Sequence, residues 1–130
     1  MKFYICELCG NEIGMIKESG VPVVCCGQDM TELVPHMKDG AVEKHLPVCS
    51  MDGRTLTVTV GETEHPMNEQ HFIEWIAVET AEGAQRKELK PGEKPAACFA
   101  LTEGDSVSAV YAYCNIHGLW KSDVTGKCEG

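Results

Sequence analysis

The chain has no apolar run long enough to span a bilayer, which excludes a helical membrane anchor. Nor does any long stretch carry helical periodicity, and no internal repeat is visible, so strands are the expected secondary structure. Positive charge is scarce. Eleven Lys and Arg stand against 20 Asp and Glu, giving a formal net charge of -9, and nothing forms a basic stripe. That balance argues against a nucleic-acid partner and against broad electrostatic capture of an anionic substrate. An anion would need a local positive site, such as a bound metal beside one well-placed lysine. No signal peptide is expected either: the amino end is acidic at Glu7 and already within a cysteine motif at Cys6. The expected setting is a reducing cytoplasm without membrane contact, where cysteines serve as ligands before they form disulfides.

Metal-ligating residues are what the chain has in quantity. Five of its eight cysteines and four of its five histidines sort into two sets. The first is all sulfur: Cys6, Cys9, Cys25 and Cys26. The second is spread over the remaining chain: Glu43-Lys44-His45, His65-Pro66-Met67, His71, and Cys114-Asn115-Ile116-His117. The 130 residues then divide into a module over 1–35, a polar linker over 36–40 bounded by Pro and Gly, and a domain over 41–130. A module that short buries too little apolar surface to fold alone, so a metal there would supply stability as well as chemistry.

The spacing predicts an all-β chain. Phe3–Ile5 and Val21–Val24 read as small strands delivering cysteines to a knuckle. Leu56, Val58 and Val60 alternate with Thr55, Thr57 and Thr59, a half-buried strand ended by Gly61. Phe72–Thr80, Ala96–Leu101 and Ser106–Tyr113 also read as strands. Arg86–Pro95 reads as a charged loop, and Glu103-Gly104-Asp105 as a hairpin turn. Short strands at this spacing point to an antiparallel sandwich.

Four thiolates can cage one ion tetrahedrally, and the residues between Cys9 and Cys25 can fold back to close the cage. Zn(II) and a single Fe both suit it, and a structural zinc knuckle stands beside an iron centre on spacing alone. The adjacent Cys25-Cys26 is unusual, because neighbouring ligands distort a tetrahedron, while a disulfide between them would need a strained ring. Cys6-Glu7-Leu8-Cys9-Gly10 with Val24-Cys25-Cys26-Gly27-Gln28-Asp29-Met30 resembles desulforedoxin, a small rubredoxin-like module holding one iron by four cysteines. The resemblance covers residues 1 to about 34 and favours iron, with zinc as a substitute.

Imidazole and thiolate together suit a transition metal that changes valence. His36 matches no motif and reads as a solvated linker residue. Glu43-Lys44-His45-Leu46-Pro47, His65-Pro66-Met67, His71-Phe72-Ile73-Glu74-Trp75 and Cys114-Asn115-Ile116-His117-Gly118-Leu119-Trp120 resemble superoxide reductase, and the whole chain is similar to the two-iron desulfoferrodoxin family. That resemblance implies an immunoglobulin-like β-sandwich after the metal knuckle, and two irons per chain. It implies His45, His65, His71 and His117 as equatorial nitrogens and Cys114 as axial sulfur. It further implies one-electron reduction of superoxide to hydrogen peroxide without dioxygen release, with a rubredoxin-like donor and a homodimeric assembly. Lys44 would attract the anion and organise a proton-donating water, and Glu43 would bind the ferric ion after product leaves. Cys98 is expected as a small core residue, Cys49 and Cys128 have no partner motif, and Trp75 and Trp120 are expected in the core.

Overall fold

The computed structural model describes residues 1–38, 45–61 and 63–124. The chain divides into two compact units, Met1–Val34 and Pro35–Gly130. Every regular element among the described residues is a strand, and every pairing between strands is antiparallel.

The first unit is built from five short strands: β1 (Lys2–Ile5), β2 (Glu12–Met15), β3 (Val24–Cys25), β4 (Gln28–Asp29) and β5 (Thr31–Glu32). β1 lies between β2 and β5, while β3 and β4 form a separate hairpin. Its buried apolar side chains are Phe3, Cys6 and Met30, a very small core. Of the expected strand Val21–Val24, only Val24 is in a strand. The preceding Val21-Pro22 is exposed, and Pro22 brings no N–H to a ladder.

The β3–β4 turn explains the adjacent cysteines. Cys25 pairs with Gln28, leaving Cys26-Gly27 as a two-residue loop, and both loop residues have positive φ, 53° and 76°. A two-residue turn with both centres left-handed matches the twist of the flanking strands. Glycine adopts that conformation freely; Cys26 is the only non-glycine residue described that does so. The turn thereby brings neighbouring sulfurs toward one centre, the step that ordinary extended backbone would prevent by pointing them to opposite faces.

The second unit is a sandwich of two sheets. One holds β6 (Pro47–Asp52), β7 (Thr55–Val60) and β10 (Ala96–Ala100) in the order β10-β7-β6. The other holds β8 (Ile73–Thr80), β9 (Gly83–Glu88), β11 (Val107–Cys114) and β12 (Gly118–Asp123) in the order β12-β11-β8-β9. A three- and four-stranded antiparallel pair is the immunoglobulin-like arrangement. Leu56, Val58 and Val60 of β7 point inward with Phe99 of β10, and meet Ile76, Val78, Val110 and Ala112 of the other sheet. Burying each of the side chains larger than Ala112 contributes about 1.5–3 kcal/mol.

Three local expectations change. Arg86–Glu88 belong to β9, an edge strand exposed at every residue, rather than to a loop. Glu103-Gly104-Asp105 does not close a hairpin, because β10 pairs with β7 and β11 pairs with β8 and β12, so the turn carries the chain from one sheet to the other. Cys98 is exposed: alternation along β10 turns Ala97 and Phe99 inward and leaves Cys98 on the solvent face, beside Thr57 Oγ1 at 3.4 Å. Of the other two cysteines outside the motifs, Cys49 on β6 is disulfide-bonded, and Cys128 lies outside the described residues.

Candidate metal centres

The four cysteines of the first unit converge, with their sulfurs all within 4.8 Å of one another. Cys6 directly follows β1, and its N–H donates to Asn11 O at 2.8 Å while Gly10 N–H donates back to Cys6 O at 2.9 Å. That knuckle points Asn11 N–H at Cys9 Sγ (3.5 Å), and the Asn11 side-chain amide reaches Cys25 Sγ at 3.6 Å. Four sulfurs about 2.3 Å from one ion lie about 3.8 Å apart along a tetrahedral edge. Cys9 and Cys25 are 3.6 Å apart, and Cys25 and Cys26 4.0 Å. The set fits one tetrahedral ion.

Its electrostatics agree. The Cys9 backbone N–H draws the Cys6 thiol down to about 6, whereas hydrogen bonding to Cys9 and Cys6 pushes the Cys26 thiol up to about 12. Four sulfurs this close do not all ionise at neutral pH unaided, and a cation among them is what would stabilise the fourth thiolate.

In the second unit, four imidazoles occupy the corners of a square. Going round it, ring centroids are separated by 4.6 Å (His45–His65), 4.7 Å (His65–His71), 5.1 Å (His71–His117) and 4.8 Å (His117–His45). The diagonal His45–His71 is 6.4 Å, and neighbouring rings meet edge to face. Ligand atoms of His45, His65, His71 and Cys114 lie within 4.8 Å of one another. His117 Nδ1 is 3.1 Å from His45 Nε2 and 3.8 Å from Cys114 Sγ. Nitrogens bound at about 2.1 Å and at right angles to one another are about 3 Å apart, so this pair has the spacing of neighbouring ligands on one ion. His45, His65 and Cys114 are buried, His71 half-buried and His117 exposed.

Each donor is placed by a nameable device. Cys114 ends β11, and the three-residue turn Asn115–His117 brings His117 back over it, closing at Gly118 with φ 83°. His117 N–H then donates to Cys114 Sγ at 3.5 Å. His65 Nδ1 faces the Pro66 carbonyl at 2.8 Å; a carbonyl only accepts, so Nδ1 holds the proton and Nε2 keeps its lone pair for a metal. His71 is held by Asn68, whose Oδ1 accepts from His71 N–H at 2.9 Å. Asn115 joins the two ligand-bearing loops: its Oδ1 accepts from Phe72 N–H (2.9 Å) and its Nδ2 donates to Gln70 O (3.0 Å).

Asn68, Asn115 and Trp120 are site residues that the motifs alone do not single out. Asn115 lies inside Cys114-x-x-His117, where an amide between two ligands is the available signal. Asn115→Ala leaves Phe72 N–H without its acceptor and unties the two loops. It is expected to weaken metal binding at this centre by about 10- to 100-fold, read by chelator competition, with the four-cysteine centre unaffected. Glu43 and Lys44, expected beside His45, lie outside the described residues.

A family model described as desulfoferrodoxin matches residues 37–123, and one described as the desulfoferrodoxin N-terminal domain matches residues 1–33. Desulfoferrodoxin from Syntrophotalea carbinolica is 43% identical over 123 residues, spanning 95% of this chain and 96% of that protein. Its counterpart from Nitratidesulfovibrio vulgaris is 41% identical over 122 residues, spanning 94% and 95%. Among solved structures, the superoxide reductase from Treponema pallidum superposes with a TM-score of 0.83 at 32% identity, covering 94% of this chain and 97% of that one.

Proposed function

The chain belongs to the desulfoferrodoxin family, and from that membership we propose that it is a superoxide reductase: one superoxide takes one electron and two protons and leaves as hydrogen peroxide, with no dioxygen released. The observation that carries this reading is the square of four imidazoles with a buried cysteine sulfur beside it. Such a donor set suits a metal that changes valence by one, which a hydrolytic zinc centre has no need to do.

We assign His45, His65, His71, His117 and Cys114 as ligands of an iron that, when bound, supplies the electron. Cys114 contributes a negative sulfur that raises electron density at the centre, and the His117 N–H moderates that charge. Lys44 is assigned to attract the anion against the overall charge of -9 and to hold a proton-donating water. Glu43 is assigned as a residue whose carboxylate would offer the iron a hard oxygen donor in its ferric form. The four cysteines are assigned a second iron, with zinc as the substitute that the same cage accepts.

The electron donor is proposed to be rubredoxin-like, since each turnover consumes one electron. A homodimer is supported by the exposed apolar side chains Leu8, Ile16, Val21 and Val24 of the first unit. A cytoplasmic setting is proposed from the use of five cysteines as metal donors, with the disulfide-bonded Cys49 standing outside that pattern. No helix among the described residues is long and apolar enough to cross a membrane.

Mixing prereduced, metal-quantified protein with superoxide tests the reading. One peroxide per superoxide without dioxygen supports it; half a peroxide per superoxide, with an equal amount of dioxygen, would mean dismutation. Lys44→Ala is expected to slow the bimolecular step about tenfold and flatten its dependence on ionic strength. An unchanged rate would leave Lys44 without the assigned role.

A further inference from the structure

Trp120 touches the histidine centre in two ways. Its indole stacks on the His45 imidazole at 4.4 Å between centroids, with the planes only 13° apart. Its Nε1–H donates to the His117 backbone carbonyl at 3.2 Å. Those two histidines are the pair whose nitrogens stand 3.1 Å apart. One side chain therefore fixes the orientation of one donor and the backbone of its neighbour.

The fold puts Trp120 there. On β12 it pairs with Ala112 of β11, and paired residues share a face. Side chains alternate along a strand, so Ala112 and Cys114 also share that face. Trp120 is thus on the same side of the sheet as the sulfur donor, next to a residue too small to compete for the space.

A second contact braces it. His36 N–H donates to Leu119 O at 2.8 Å and Lys121 N–H donates to His36 O at 2.9 Å, so the backbone at His36 forms a parallel bridge with Trp120. The His36 ring lies 4.7 Å from the indole at a tilt of 37°. His36 is exposed, as a solvated linker residue would be, yet its backbone is hydrogen-bonded on both sides and its ring is in aromatic contact. His36 and His45 stand on either side of positions 37–44 in the chain, and both pack on this one indole.

We propose that Trp120 is a positioning residue of the histidine centre, orienting His45 by stacking and His117 through its carbonyl, with His36 as its outer brace. An imidazole held only by its own χ angles can rotate away from a metal. A stacked indole restricts that rotation, and a hydrogen-bonded carbonyl fixes the turn that carries the next ligand. Trp75 supplies the internal comparison. It is similarly buried, but its indole stacks on Tyr113, a residue outside the ligand set, at 5.6 Å and 9°.

The inference rests on the proposed metal centre, and metal affinity separates the two. Full-length protein with its four-cysteine centre filled is titrated with Co(II) against a competing chelator, following the thiolate-to-metal absorption. Trp120→Phe, which keeps a ring but loses the N–H, is expected to weaken binding about tenfold; Trp120→Leu, which loses both, up to about 100-fold with a shifted absorption band. By the same logic His36→Ala is expected to weaken it about threefold, and Trp75→Phe to leave affinity and band unchanged. Trp75→Phe also leaves Trp120 as the sole tryptophan, whose emission is expected to change as the histidine centre fills. Parental affinity in both Trp120 variants, an equal loss in Trp75→Phe, or an emission indifferent to filling would overturn the inference. A parent chain that took up no metal at this centre would overturn the proposed function, and the inference with it.

Discussion

Cys114→Ser is expected to abolish the thiolate-to-metal absorption and to lower superoxide reduction by at least about 100-fold. Cys114 is fully buried at the end of β11, so water cannot enter to replace the lost sulfur. A serine hydroxyl stays neutral at neutral pH, is harder than a thiolate, and reaches less far toward the imidazole square. The His117 N–H that now points at sulfur would face a shorter, less polarizable acceptor. The loss combines weaker metal retention with weaker electron donation, and measuring metal content alongside rate separates them. Full activity with metal bound and the absorption gone would sink the assignment of Cys114 as the electron-rich donor.

Cys9→Ser should act on the other unit and spare this one. Met1–Val34 has strands of two to four residues and a core of Phe3, Cys6 and Met30. Apolar burial on that scale does not offset the entropy of ordering the segment, so an ion held by the four sulfurs would supply the difference. Structural zinc in comparably small modules contributes about 10–16 kcal/mol. Removing one of four thiolates is therefore expected to lose the ion and unfold residues 1–34, seen as complete amide exchange there. Pro35–Gly130 has its own sandwich core and is expected to keep its protection. Reduction of superoxide by prereduced protein should stay close to the parent rate; its complete loss, with the histidine centre filled, would instead make the four-cysteine centre an obligatory relay. Acid should imitate the substitution. Protons compete for the thiolates, so occupancy is retained toward alkaline pH and lost as pH falls.

Both clusters of candidate donors are legible in the sequence because each is written in short motifs whose spacing is itself the signal. Cys6-x-x-Cys9 and Cys114-x-x-His117 each lie on a single turn, and no long-range information is needed to pair them. β7 is legible for the same reason: Leu56, Val58 and Val60 alternate with threonines on the other face. β9 is not, since a strand exposed on both faces carries no period-two pattern, and Arg86-Lys87-Glu88 looks the same in a loop. The turn at Glu103–Asp105 has ordinary turn chemistry, but which strands it separates is decided by pairing partners far away in sequence. Cys25-Cys26 announces an oddity without its solution, which is the left-handed backbone at Cys26. Trp120 is invisible as a site residue for a different reason. Its contacts with His45, His117 and His36 come from three separate parts of the chain.

The all-exposed strand β9 has one more consequence. It borders the four-stranded sheet, and its side chains reach across to β10, which borders the other: Gln85 Nε2 donates to Ala100 O at 2.9 Å and Lys87 Nζ donates to Cys98 O. Those carbonyls are groups an incoming strand would need. At the opposite border of the four-stranded sheet, the backbone of His36 already occupies Leu119 O and Lys121 N–H on β12. A chain made of short antiparallel strands would otherwise offer open borders to its own copies. At β10 and β12 those borders are held by a lysine, a glutamine and a histidine, which a second copy would first have to displace before adding a strand there.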